Sequence, residues 1–131
     1  MPLWSTGELV TAAKMNTNTG PVYTVTQTDQ TASRAIDATV YQNTSGKIMI
    51  VTVTVSQTCD NLETATVIFY CAAANPPAVI VGKAEFFQQA ATLASTQVAV
   101  TFVVPVNYYY KATASGTGVS AKQSWIEWTL F

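Results

Sequence analysis

Histidine is absent from this chain of 131 residues. With it goes the side chain that most often serves as general base and as metal ligand near neutral pH. Ser-His-Asp and Cys-His nucleophile systems are excluded in their usual form, and nothing marks a Ser-Lys pair. Charge is scarce too: Asp, Glu, Lys and Arg together make up 10 % of the chain, against about 25 % in an ordinary soluble domain. Either Thr, Ser, Gln and Asn supply the solubility, or part of the surface is hidden in a subunit interface, where charge is depleted. The basic residues Lys14, Arg34, Lys47, Lys83, Lys111 and Lys122 are scattered. They form no cluster of the kind that neutralises phosphates, so no nucleic-acid partner is expected. No apolar run approaches the roughly 18 residues of a membrane span, and residues 1–15 lack the basic start and apolar segment of a signal peptide. Synthesis in the cytoplasm is the expectation. Cysteine is limited to Cys59 and Cys71, a pair whose spacing supports neither a zinc site nor a redox motif. In a simple hairpin turning at Asp60 the two thiols lie beyond bridging range, so both are read as free and buried.

What is present is β pattern. Apolar residues make up 49 % of the chain, enough for one domain with a real core. Over 48–56, Met49, Val51, Val53 and Val55 share one face and Thr52, Thr54 and Ser56 the other, the period-two signature of a half-buried strand. Segments 64–71, 97–104, 108–114 and 119–130 read as strands as well, 35–41 as a further one, and 78–81 and 83–88 as two weaker ones separated by Gly82. Residues 22–26 have β character, 29–33 are connector, and 89–96 are ambiguous with a helical turn. Turn residues lie between these segments. The sum is an all-β chain, an antiparallel β-sandwich or jelly roll of about seven or eight strands. The start is different. Thr11 can cap a short turn carrying Ala12, Ala13, Lys14 and Met15, with Asn16 ending it. So short a helix is marginal alone, and the segment reads as an arm ordered by packing. The organisation expected is an attachment arm and connector over 1–33 and a β-sandwich over 34–131.

Few residues suggest chemistry. The carboxylates Glu8, Asp29, Asp37, Asp60, Glu63, Glu85 and Glu127 could in principle supply a glycosidase pair, which keeps a cell-wall hydrolase among the readings. Surface charge and turn chemistry is the plainer one. Asp60 and Glu63 lack the Asp-x-Asp-x-Asp pattern of a calcium loop. No catalytic residue, metal or cofactor is therefore assigned. Tyr108, Tyr109 and Tyr110 form the most suggestive local feature. In a strand Tyr108 and Tyr110 share a face, where rings can stack on a sugar or fill a partner's pocket; core packing is the plainer account. Trp125 and Trp128 fall on opposite faces of a strand, so at least one belongs to the core.

Two groups of segments resemble bacteriophage virion proteins. The run from Gly7 to Asn16, with Thr11, Ala12, Ala13 and Asn16, is similar to a Gly-x-x-x-Thr-Ala-Ala-x-x-Asn element near the start of many phage tail, fibre and baseplate proteins. The body resembles small phage and prophage structural domains at Tyr41-Gln42-Asn43-Thr44-Ser45-Gly46-Lys47 with the following 48–51, at Val104-Pro105-Val106-Asn107-Tyr108-Tyr109-Tyr110-Lys111, and at Trp125-Ile126-Glu127-Trp128. It departs at Val106-Asn107, where that group tends to carry Pro-Gly. The resemblance implies a jelly-roll sandwich of TNF-like type, often trimeric. It further implies location in the virion and attachment to other virion proteins through an N-terminal arm, for which Trp4, Leu9, Val10 and Met15 are the candidate residues. A host-surface glycan is a possible partner through the three tyrosines, whether on a virion or as a carbohydrate-binding module.

Overall fold

The computed structural model describes residues 24–131. Eight strands are present: β1 (Val25–Asp29), β2 (Tyr41–Gln42), β3 (Ile48–Cys59), β4 (Thr64–Ala72), β5 (Ile80–Phe87), β6 (Ala94–Val104), β7 (Tyr109–Gly116) and β8 (Val119–Leu130). They form two four-stranded antiparallel sheets, a β-sandwich. The first has the order β1-β8-β3-β6 and the second β2-β7-β4-β5. Each strand in the first half of the chain pairs with its counterpart from the second half: β1 with β8, β2 with β7, β3 with β6 and β4 with β5.

Alternation drives the layering. In β3, Met49, Val51, Val53 and Val55 are buried while the residues between them are not, as a strand with one wet face requires. Val67, Phe69, Phe102, Val104, Tyr110 and Trp125 meet them between the sheets. Gln57 is also fully buried. Its Nε2 donates to the carbonyls of Ala65 (3.0 Å) and Ala84 (3.1 Å) in the opposite sheet. A polar side chain on β3 thus ties the two layers together at one end.

Several segments differ from the sequence reading. The β character read over 22–26 forms a strand at Val25–Asp29, shifted toward the connector; it is an edge strand that pairs with β8 from Val25–Leu130 to Asp29–Ile126. Residues 35–41 do not form a continuous strand. Ala38 takes a positive φ of 72°, which breaks the extended path, and only Tyr41–Gln42 pairs as a strand with β7. The preceding stretch runs beside β7 through a lone Asp37–Thr113 bridge and the bonds Ala38 N to Ala112 O and Ala114 N to Ile36 O. Gly82 does not separate two strands: β5 is continuous, and the register slips where Phe69 faces Gly82 and Tyr70 faces Ile80. A β-bulge absorbs the extra residue. Residues 94–96 belong to β6 rather than to a helical turn.

Cys59 and Cys71 are both free and buried, as expected, but for another reason. The Asp60 turn does not make a hairpin, since β3 and β4 lie in different sheets. Cys59 packs near the Ala65 end of β4, where an added Cβ at Gly118 would come within 2.5 Å of its Sγ and 3.2 Å of Ala65. Cys71 sits six residues further along β4, or roughly 20 Å of strand. Burial raises the Cys71 thiol pKa. The tight change of sheet from β7 to β8 depends on Gly116, whose φ is +99° and whose Cβ position is closed by the Thr64 carbonyl.

Candidate functional site

The most elaborate polar arrangement lies between the sheets at the end where β8 and β3 meet β7 and β2. Trp125 and Glu127 are two residues apart on β8, so both point inward. The Glu127 Oε1 accepts hydrogen bonds from the Tyr110 hydroxyl (2.7 Å), the Arg34 Nε (2.9 Å) and the Trp125 Nε1 (3.1 Å). Its Oε2 accepts a longer one from the Arg34 Nη2 at 3.4 Å. Glu127 is 5 % exposed. A carboxylate so deep persists only when paired and hydrogen-bonded, and here a cation and two neutral donors share the task.

Each donor has its own support. Arg34 lies 4.5 Å above the Tyr41 ring centroid, a cation–π geometry. The Tyr41 hydroxyl accepts from the Ala35 N–H at 2.9 Å. The Tyr110 and Trp125 rings pack with centroids 6.4 Å apart, and Tyr41 meets Trp125 edge-on at 6.0 Å. Residues 30–34 are fastened to β8: the Lys122 ammonium donates to the carbonyls of Thr31 and Arg34, and the Thr31 Oγ1 accepts from the Trp125 N–H at 3.0 Å. The register irregularity opposite Thr54 and Val55 lies just before this region of β8.

Asn43 completes the cluster. It is buried, and its Nδ2 donates to the carbonyls of Lys47 (2.8 Å), Val104 (3.0 Å) and Pro105 (3.2 Å). Its Oδ1 accepts from the Ser45 hydroxyl at 2.7 Å. One side chain thereby fixes the loop before β3 to the turn after β6. In that turn the Tyr108 N–H donates to the Pro105 carbonyl, and Asn107 has a φ of 66°. A positive φ at the third position of a β-turn favours Gly or Asn. The Val106-Asn107 pair therefore meets the same backbone demand that Pro-Gly would. Asn107→Gly is expected to stay within about 0.5 kcal/mol of the parent, and Asn107→Val to cost about 1–2 kcal/mol, measured by urea unfolding.

A cleft of about 230 Å³ opens beside this cluster, lined among others by Gln30, Arg34, Gln42, Ser45, Glu127 and Thr129. Glu127 is the one carboxylate in its lining. The other described acids are employed elsewhere. Asp29 and Asp37 accept from Thr31 and Thr39 in local turns, which lowers both pKa values. Glu63 accepts from the Asp60 N–H, and Glu85 pairs with Lys83 at 2.7 Å. Among the described residues no group of three His, Cys, Asp or Glu side chains is placed to hold a metal, and no helix is long and apolar enough to cross a membrane. What Glu127 can do with three donors already on Oε1 is hold Arg34, Tyr110 and Trp125 in place.

The three tyrosines do not make a shared platform. Tyr108 lies in the turn outside β7 and is exposed, Tyr109 is half-buried, and Tyr110 is 1 % exposed with its hydroxyl on Glu127. The turn, which ends at Tyr108, breaks the alternation that would have put Tyr108 and Tyr110 on one face. Trp125 is fully buried and Trp128 half-buried on the opposite face. Trp4, Leu9, Val10 and Met15 lie outside the described residues. Arg34 and Glu127, scattered charges in the sequence, prove central. The signal that could have found Glu127 is its position two residues from Trp125: if that ring is core, the carboxylate faces inward with it.

Burial, the hydrogen bond to Glu127 and that residue's negative charge together raise the Tyr110 hydroxyl pKa far above its ordinary value of 10.0. The folded chain keeps a proton that the unfolded chain releases near pH 10. The stabilisation from this group is complete below about pH 10 and falls as pH rises beyond it. Tyr110→Phe is expected to cost about 1–2 kcal/mol at neutral pH and to flatten the decline above pH 10, read from denaturant midpoints across pH 7–12.

No protein-family model matches the chain, and no curated protein matches it.

Proposed function

We propose that this chain is a non-enzymatic structural component of a bacteriophage or prophage particle: a self-associating jelly-roll β-sandwich attached to other virion proteins by its N-terminal arm. One observation carries the reading. The three body segments that resemble phage structural domains are far apart in sequence yet meet in one cluster, where Tyr41, Asn43, Tyr110, Trp125 and Glu127 pack on or bond to one another or to the same turn. Such a pattern fits residues kept for a shared architecture, with their polar atoms spent on holding loops and strands. The strand order supports the jelly-roll form, because pairing β1–β8, β2–β7, β3–β6 and β4–β5 is one long antiparallel hairpin wrapped into two layers. Low charge content supports self-association. A trimer is the assembly that the resemblance implies, and closed cyclic symmetry is the general form of such oligomers. Glycan binding through the tyrosines finds little support, since Tyr110 is committed to the core.

The test is mass spectrometry of phage particles purified from a strain that carries the gene. Recovery of the chain at many copies per particle is the expected result. Its absence from intact particles, with the protein present in the lysate, would reject a virion role.

A further inference from the structure

The two outer faces of the sandwich differ in charge. On the second sheet, Lys83, Glu85 and Lys111 stand at outward positions of β5 and β7. On the first sheet, the outward positions of β3, β6 and β8 carry no charged residue at all; Asp29 on the edge strand β1 is the nearest. Toward the end where β3 begins, the face is apolar. Ile50 stands opposite Val103 on one side and Trp128 on the other, with Ile48 opposite Leu130. Val103 is 53 % exposed and Ile48 48 %. Further along, hydroxyls take over and satisfy one another: Thr52 with Thr101 at 3.0 Å and Thr58 with Ser95 at 2.9 Å.

We propose that a second copy of this chain packs on this outer face of the first sheet. The inference rests on the self-association in the proposed function and assigns its surface. Size is the first argument. β3 has 12 residues, so the face is about 40 Å long, and four strands at about 4.8 Å spacing make it about 19 Å wide. The resulting area of roughly 700 Å² approaches the ~800 Å² that each partner contributes to a stable interface. Charge is the second. The three long strands β3, β6 and β8 bring no charge to this face, so packing them buries no unpaired ion and repels no identical chain, and Asp29 lies at its rim on β1. Two of its hydroxyl rows, Thr52 with Thr101 and Thr58 with Ser95, are hydrogen-bonded in pairs, which reduces the cost of drying them. Sheets stack face to face at about 10 Å when side chains of this size interdigitate.

The test uses the full chain in size-exclusion chromatography with light scattering, at concentrations up to about 100 µM. Val103→Lys and Ala99→Lys each place a charge on β6 at an exposed position of this face; Ser115→Lys does the same on β7 in the second sheet. Far-ultraviolet circular dichroism confirms that each variant is folded. The parent is expected at a multiple of 14.0 kDa, with Ser115→Lys unchanged and both β6 variants at least tenfold weaker in association. If the β6 variants keep the parent mass, or if Ser115→Lys dissociates as readily, the face assignment falls while self-association stands. A parent that remains at 14.0 kDa throughout overturns both.

Discussion

Glu127→Leu is expected to destabilise the fold by about 3–5 kcal/mol, the range found when one member of a buried ion pair is removed. The substitution keeps volume and takes away the shared acceptor. Arg34 loses both of its bonds to the carboxylate, and the Tyr110 hydroxyl and Trp125 indole N–H lose their partner on Oε1. Arg34 is already largely enclosed, with 20 % of its side chain exposed, so its charge cannot rehydrate without moving away from Tyr41. Glu127→Gln is the informative companion. It keeps an acceptor for the neutral donors and removes the charge that Arg34 answers, so its cost should fall between the parent and Leu. Adding Arg34→Met to Glu127→Leu should recover part of the loss, because the stranded cation goes with its partner; Tyr110 and Trp125 stay unsatisfied. Urea unfolding at one fixed protein concentration checks this, since association would otherwise shift the midpoint. A cost for Glu127→Leu below about 1 kcal/mol would mean that water replaces the carboxylate and that the cluster does not hold the sheets together.

The sequence revealed the sandwich wherever alternation was local. β3 and β8 read true because hydrophobic and hydroxyl residues alternate along their lengths, and a strand's faces are set by that period alone. The strand read over 35–41 is cut down to Tyr41–Gln42 for the opposite reason. The chain before it reads as β-prone, but Ala38 at positive φ and the turn bonds of Asp37 keep it irregular. β1 was legible only at its start, where residues 22–26 have β character; all five of its residues are exposed, and only pairing with β8 carries the strand on to Asp29. The candidate cluster was legible in fragments. Its segments were visible as separate patterns, whereas their meeting depends on pairings between residues 17 to 93 positions apart. Composition reports how many carboxylates a chain has and not which one the fold turns inward. The tyrosine run shows the same limit: the turn bond from the Tyr108 N–H to the Pro105 carbonyl keeps Tyr108 out of β7, so only Tyr109 and Tyr110 alternate along the strand.

Phe69→Ala should cost about 3–5 kcal/mol, at the upper end for a buried aromatic. Phe69 is fully buried on β4 and packs against Phe102 with centroids 5.6 Å apart. How much a cavity costs depends on whether its walls can close. Here one wall is Gly82, the register partner of Phe69 on β5, which has no side chain to move into the gap. The same geometry predicts a reversal of sign. In the parent, a Cβ at Gly82 would lie 2.5 Å from the Val100 Cγ1 and 3.8 Å from the Phe69 ring, so Gly82→Ala forces Val100 out of place and is destabilising by about 1–3 kcal/mol. In the Phe69→Ala background, Val100 can turn into the vacated space and the added methyl fills part of it. Gly82→Ala should then be neutral or stabilising, with a coupling of about 1–3 kcal/mol between the two sites. A double-mutant cycle by thermal and urea unfolding gives this number directly. Additive costs would show that Val100 does not use the Phe69 volume, and that the middle of the core is packed by β3 and β6 without β5.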